Sequence, residues 1–220
     1  MNWILLCYNT KWFRRCSMIM ALIAPVAWAH PHSFISINTT LVSHQPDTLN
    51  GLKMVWKMDE ITSADLLYDA GDAKPDSVVW KKLAAEVMAN VLGQHYFTEF
   101  WHNGKPVKFE NLPAEYHLAR EGHQAVLTFV LPLAEPQPVN GQVYTFSTFD
   151  PSYFVDMFYD DEKSLKLPES WQPHCKLRLT TPQPDASMQA YALSLDKADA
   201  PPEDLDLGRQ FAQTVTLICQ

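Results

Sequence analysis

Basic residues are scarce in this sequence: 17 Lys+Arg stand against 25 Asp+Glu, a formal net charge of −8 over 220 residues. A surface of that sign is a poor match for a phosphate backbone, so nucleic acid is excluded as the expected partner and cations are favoured. No Gly-rich phosphate loop, nucleophile-elbow sequence or internal repeat occurs, which removes the phosphate-cradle, serine-hydrolase and solenoid readings. Long hydrophobic runs are missing too. The apolar stretch at residues 16–28 falls short of a comfortable membrane span. Cysteine is limited to Cys7, Cys16, Cys175 and Cys219.

Lys11, Arg14 and Arg15 precede the apolar stretch, and Ala27 and Ala29 offer small side chains three and one positions before a cut. This pattern predicts a signal peptide over residues 1–29, cleaved on export; an uncleaved anchor is the alternative. Of the 220 residues 191 remain, enough for a single domain at residues 30–220, and with three basic residues gone the charge becomes −11. Cys175 and Cys219 are then an even pair in an exported chain, which predicts a disulfide, with a thiolate metal site as the rival. The bond would close a loop of about 45 residues and contribute about 4 kcal/mol in the chain-entropy model.

Residues 32–42 (HSFISINTTLV) are rich in β-branched side chains, residues 47–51 read as a turn, and residues 52–58 alternate, so a β-hairpin is expected. Residues 61–71 read as a short helix capped by Thr62 or Ser63 and stopped by Gly71. Pro75 and Asp76 open a longer helix over residues 77–92, where Val79, Trp80, Leu83, Ala84, Val87, Met88 and Val91 form one buried stripe that Gly93 ends. Strands are expected at residues 96–101 and 106–109, joined through Asn103-Gly104, and at residues 115–120, 124–131, 142–149, 176–181 and 214–219. Pro132, Pro136 and Pro138 break the strand pattern, and a last helix is expected at residues 187–195. The sum is an α+β single domain, largely antiparallel sheet or sandwich, with two or three helices.

Cleavage before His30 would leave His30-Pro31-His32 at the amino terminus. Two histidines two apart in an extended segment project to one side, and the free amine adds a third nitrogen donor. Pro31 lacks an N–H, so the Cu/Ni site that deprotonates the second amide is excluded. What remains is chelation by the amine and imidazole of His30 with His32 or another side chain completing the shell; the competing reading is a solvated end that binds nothing. Asp59, Glu60 and Asp150 are the candidates for completing or orienting such a site, although Asp59-Glu60 could equally cap the following helix and Asp150 could begin a turn before Pro151-Ser152-Tyr153-Phe154-Val155. His95, His102, His117 and His123 are scattered and are read as surface or half-buried residues.

The chain resembles a family of uncharacterised bacterial periplasmic proteins, labelled as periplasmic components of an ABC-type transport system, the ZevA-like partners of metal permeases. The matching residues are His30-Pro31-His32 with Phe34 and Ile35, Trp56 through Asp59-Glu60, Ser63-Ala64-Asp65-Leu66-Leu67, Tyr96-Phe97-Thr98, Asn103-Gly104-Lys105-Pro106-Val107, Asp150-Pro151-Ser152-Tyr153-Phe154, Cys175, and Leu207-Gly208 through Cys219. The resemblance implies a periplasmic protein, not an enzyme, that works with an integral membrane permease for zinc, nickel or cobalt. The acidic calcium-type insert found in many members is replaced here by residues 69–76, too short and too poor in oxygen ligands for that role. Zinc is the expected metal, with nickel, cobalt or copper as alternatives. Two other functions stay open at this point: a metal-free module that modulates a transporter through Tyr153, Phe154, Phe158 and Tyr159, and a copper oxidase built on a terminal histidine.

Overall fold

The computed structural model describes residues 31–195, 201 and 206–220. Residues 1–29, expected to be a signal peptide, and His30 lie outside them. In chain order the described elements are β1 (Ser33–Val42), β2 (Thr48–Met58), α1 (Glu60–Ala70), α2 (Val78–Gly93), β3 (Thr98–His102), β4 (Lys105–Pro106), β5 (Glu115–Glu121), β6 (Gln124–Pro138), β7 (Val143–Thr148), β8 (Val155–Phe158), β9 (Leu165–Lys166), β10 (Cys175–Thr180), α3 (Ala186–Ser194), α4 (Leu207–Phe211) and β11 (Thr214–Cys219).

They build two sheets. The first runs β5-β6-β2-β1-β8 with β9 also on β1; the second runs β10-β11-β7-β3-β4. All pairs are antiparallel except β1–β8 and β1–β9. Alternation along β1 and β2 explains the hairpin: Ile35, Ile37, Leu41, Leu52, Met54 and Trp56 are buried, and the residues between them lie closer to water. One core joins both sheets, since Trp56 and Phe129 of the first meet Phe97 and Tyr96, which lead into β3 of the second. The α+β reading therefore holds, with a single domain, mostly antiparallel pairing and no closed barrel.

The buried stripe of α2 is Trp80, Leu83, Ala84, Met88 and Val91, and it rests on β5. Asn103 and Gly104 take positive φ (49° and 73°) in the two-residue connection from β3 to β4, the conformation that twist-matched hairpin turns require.

Several local expectations are corrected. The first turn is tighter than residues 47–51, because Thr48 already pairs with Pro138. The strand expected from residue 96 starts at Thr98; His95, Tyr96 and Phe97 instead have positive φ (49°, 61°, 51°). That left-handed turn is costly for L-residues and is held from outside: the Tyr96 ring is buried, its hydroxyl donates to the Glu110 carbonyl at 3.2 Å, and the Phe97 carbonyl accepts from Phe149 N at 2.8 Å.

β6 does not stop before Pro132. It passes through Pro132 and Pro136 to Pro138, its register against β2 shifting between Leu49 and Gly51, while the Pro132 carbonyl accepts from Glu110 N at 2.9 Å. Prolines are tolerated there because they fall where the ladder is already irregular. α4 was not expected, which makes four α-helices among the described residues against the two or three anticipated.

Candidate functional site

The start of β1 is where the structure gathers most of the candidate residues. His32 donates its backbone N–H to the Phe154 carbonyl at 2.9 Å, and its ring lies 4.8 Å from the Phe154 ring. Two residues on, Phe34 is tied to Asp59 twice: its N–H donates to Asp59 Oδ2 at 2.8 Å, and its carbonyl accepts from Asp59 N at 3.0 Å.

Asp59 is also the cap of α1, in place of the expected Thr62 or Ser63. Its Oδ1 accepts from Ile61 N at 2.8 Å and Thr62 N at 3.0 Å, and its Oδ2 takes the Thr62 hydroxyl as well. Four donors meet the four lone-pair positions of an ionised carboxylate, so Asp59 is filled by the protein itself. Burial works against its charge, but the hydrogen bonds from the Thr62 side chain and from the backbone of Thr62, Phe34 and Ile61 outweigh it and hold the pKa below the usual carboxylate range. Glu60, the first residue of α1, is exposed to solvent.

Asp150 does for the approach to β8 what Asp59 does for α1. At 9 % exposure its Oδ1 accepts from Ser152 N at 3.0 Å, its Oδ2 from Val155 N at 3.0 Å, and the Ser152 hydroxyl lies 2.9 Å from each oxygen. The resulting turn carries Tyr153 at φ 57° and delivers Val155 into register with Ser33. α4 presses on the same turn. Gly208 N donates to the Pro151 carbonyl at 2.9 Å, and a Cβ on Gly208 would stand 1.8 Å from the Asp150 carbonyl oxygen, so only glycine fits.

A third aspartate reaches this place as well. Asp156 is paired with Phe34 in the parallel ladder and is half-buried; burial pushes its carboxyl pKa up. Among the described residues no donor hydrogen-bonds its carboxylate. Burial, with the Asp156 charge beside it, pushes the Tyr153 phenol up to about 12. Tyr153 stacks on Phe211 with ring centroids 4.1 Å apart, and the two line a shallow cavity of about 300 Å³ together with Pro31 and Pro184.

Thus His32, Asp59, Asp150 and Asp156 converge on the start of β1, while Glu60 stands outside the hydrogen-bonded junction. Among the described residues no group of three or more His, Cys, Asp or Glu side chains is arranged to hold a metal ion. His30, the other proposed nitrogen ligand, lies outside the described residues.

The remaining histidines are dispersed. His102 Nε2 sits 2.8 Å from Gln142 Oε1, His117 lies 3.5 Å from Asp76, and His174 lies 3.5 Å from Asp47. Cys175 and Cys219 are joined by the expected disulfide across β10 and β11. A larger cavity of about 540 Å³ lies elsewhere, between the left-handed turn at His95 and the segment from Val107 to Asn111. No motif marked it, because both walls come from backbone conformations without a sequence signature.

The profile of a family described as a protein of unknown function, DUF1007, matches residues 16–219. The chain belongs to this family. It is also similar to an uncharacterised protein of Haemophilus influenzae, 34 % identical over 194 residues that cover 87 % of this chain and 92 % of the relative. The DUF1007 match takes in the whole junction just described, from His32 through the Asp150 turn to Gly208, together with both cysteines of the disulfide.

Proposed function

We propose that this DUF1007 chain is an exported, periplasmic accessory protein that holds one divalent transition metal at the terminus created before His30 and passes it to an integral membrane permease. Zinc is the first choice; nickel, cobalt and copper share its preference for imidazole. The observation that carries the reading is the seating of His32, whose backbone is fixed to Phe154 at 2.9 Å and whose ring rests on the Phe154 ring. A histidine held at a sheet margin loses little freedom on binding a metal, whereas the same residue on a loose tail would lose more.

Three further features agree with it. The excess of acidic residues favours cations. The disulfide suits an oxidising compartment. Among the described residues no helix is long and apolar enough to cross a membrane, and in this reading transport itself falls to a partner. In this reading Asp59 and Asp150 set the positions of β1 and β8, and Glu60 is free to meet a cation from solvent.

The aromatic residues that would serve a metal-free docking module give that alternative less support: Tyr159 is only 2 % exposed, and Tyr153 is packed on Phe211. The test is a zinc and nickel titration of the processed protein beside its His30→Ala/His32→Ala double variant. One equivalent of metal on the parent and none on the variant, with the fold intact by circular dichroism, is the expected result. Equal titration curves would overturn the assignment.

A further inference from the structure

We propose that the cavity of about 540 Å³ beside β3 binds a short apolar peptide, one residue of which pairs with the free edge of that strand. None of the groups involved belongs to the start of β1, so the inference stands apart from the metal. The bonds from β3 to β7 leave from Phe97, Glu99 and Trp101: Phe149 N reaches the Phe97 carbonyl at 2.8 Å, and the antiparallel ladder alternates from there. Thr98 and Phe100 therefore turn their backbone groups the other way, toward the cavity that both residues line. Two of these four groups are taken. Thr98 N donates to the His95 carbonyl, and the Phe100 carbonyl accepts from Val107 N at 2.8 Å. Among the described residues the Thr98 carbonyl and the Phe100 N–H have no partner.

That pattern selects the ligand. One residue of an extended chain running parallel to β3 donates its N–H to the Thr98 carbonyl and accepts the Phe100 N–H on its own carbonyl, the parallel pairing opposite Glu99. The next bonds of such a ladder would use Thr98 N and the Phe100 carbonyl, which are already engaged, so the site takes a short segment and not a full added strand. Side chains alternate along an extended ligand, so those flanking the paired residue turn to the face of Thr98 and Phe100. There the Phe109 ring centroid lies 6.2 Å from that of Tyr96 and 6.1 Å from that of Phe100, an aromatic floor for apolar side chains. The acid on the β3 wall is neutralised by its own partners: Glu99 accepts from Arg209 at 2.6 and 2.7 Å and from Trp101 Nε1 at 3.3 Å. The Tyr96 hydroxyl, bonded to the Glu110 carbonyl at 3.2 Å, ties the two walls together and holds the pocket open before any ligand arrives. Its volume falls within the range of about 300–1,000 Å³ usual for small-ligand sites.

The experiment uses the unsubstituted chain, labelled with ¹⁵N, so no folding defect enters. The probes are two pools of tripeptides carrying Ala, Val, Leu or Phe at each position, one pool acetylated and amidated at its ends and the other with free termini. At millimolar peptide the Phe100 amide resonance is expected to move downfield and its exchange with solvent to slow at least about tenfold, while the Val215 amide inside the second sheet stays unchanged. N-methylation of the central residue of the tightest binder removes the N–H meant for Thr98 and is expected to weaken binding at least about tenfold. Binding of the blocked pool identifies the ligand as a segment within a longer chain; binding of the free-termini pool alone identifies it as a free peptide. Either result supports the site. Binding of neither pool, binding that leaves the Phe100 amide unmoved, or equal affinity for the N-methylated peptide overturns it.

Discussion

At the start of β1 the chain is held by two carboxylates whose oxygens collect N–H groups from β1, the first turn of α1 and the approach to β8; at the end of the second sheet, β10 and β11 are held by a covalent bond between Cys175 and Cys219. The first fastening depends on ionisation and on close backbone approach, the second on redox state. The carboxylate junction also leaves a histidine and an unsatisfied aspartate beside it, whereas the disulfide consumes both of its reactive groups. Rigid covalent closure at one site and polar, reversible closure at the other divide stability from a candidate binding function.

The widest separation between the two should come from Cys175→Ser/Cys219→Ser. With the cysteines 44 positions apart in the chain, the loss is about 4 kcal/mol in the chain-entropy model, read by urea unfolding. The His32 imidazole resonances of the folded fraction should not move; if they do, the two fastenings are coupled and the division fails.

Next in size is Gly208→Ala, at roughly 2–3 kcal/mol, because the added methyl meets backbone at the Asp150 turn and cannot be accommodated by a side-chain rotation. This variant should perturb His32 and Phe154 signals while leaving the disulfide formed. An unchanged melting temperature would show that the turn yields easily.

Asp59→Asn should cost about 1–2 kcal/mol at neutral pH through loss of a charged cap. Its sign with pH is definite. The folded pKa of Asp59 lies below its unfolded value, so its contribution is complete above the unfolded value and is lost as pH falls through the folded one. Parent and variant stabilities should therefore converge in acid, and a gap that persists there would assign the loss to shape instead of charge.

Elements with local signals were legible in the sequence. β-branched alternation marked β1 and β2, three- and four-residue spacing marked α2, Asn103-Gly104 marked a turn, and the pair of cysteines at positions 175 and 219 marked their own bond. What escaped depends on contacts far apart in the chain. Asp59, Thr62 and Ser63 are all acceptable caps, and the choice of Asp59 follows from Phe34 lying opposite it. β8 is four residues that lack a clear alternation, and its place beside β1 comes from the Asp150 turn. The pairing of Asp156 with Phe34 is a matter of register, which no local pattern states. The turn through His95, Tyr96 and Phe97 contains no glycine and so carried no warning of positive φ.

Parallel pairing of β8 with β1 requires a long crossover in the chain. An antiparallel partner can arrive through a short turn, as β2 does, but β8 reaches the first sheet only after the chain has entered the second through β3 and β7 and crossed back by way of the Asp150 turn. Such long-range closure is entropically slow. His32 and Phe154 stand 122 positions apart in the chain, so whatever that contact positions is complete only when both halves of the fold have come together.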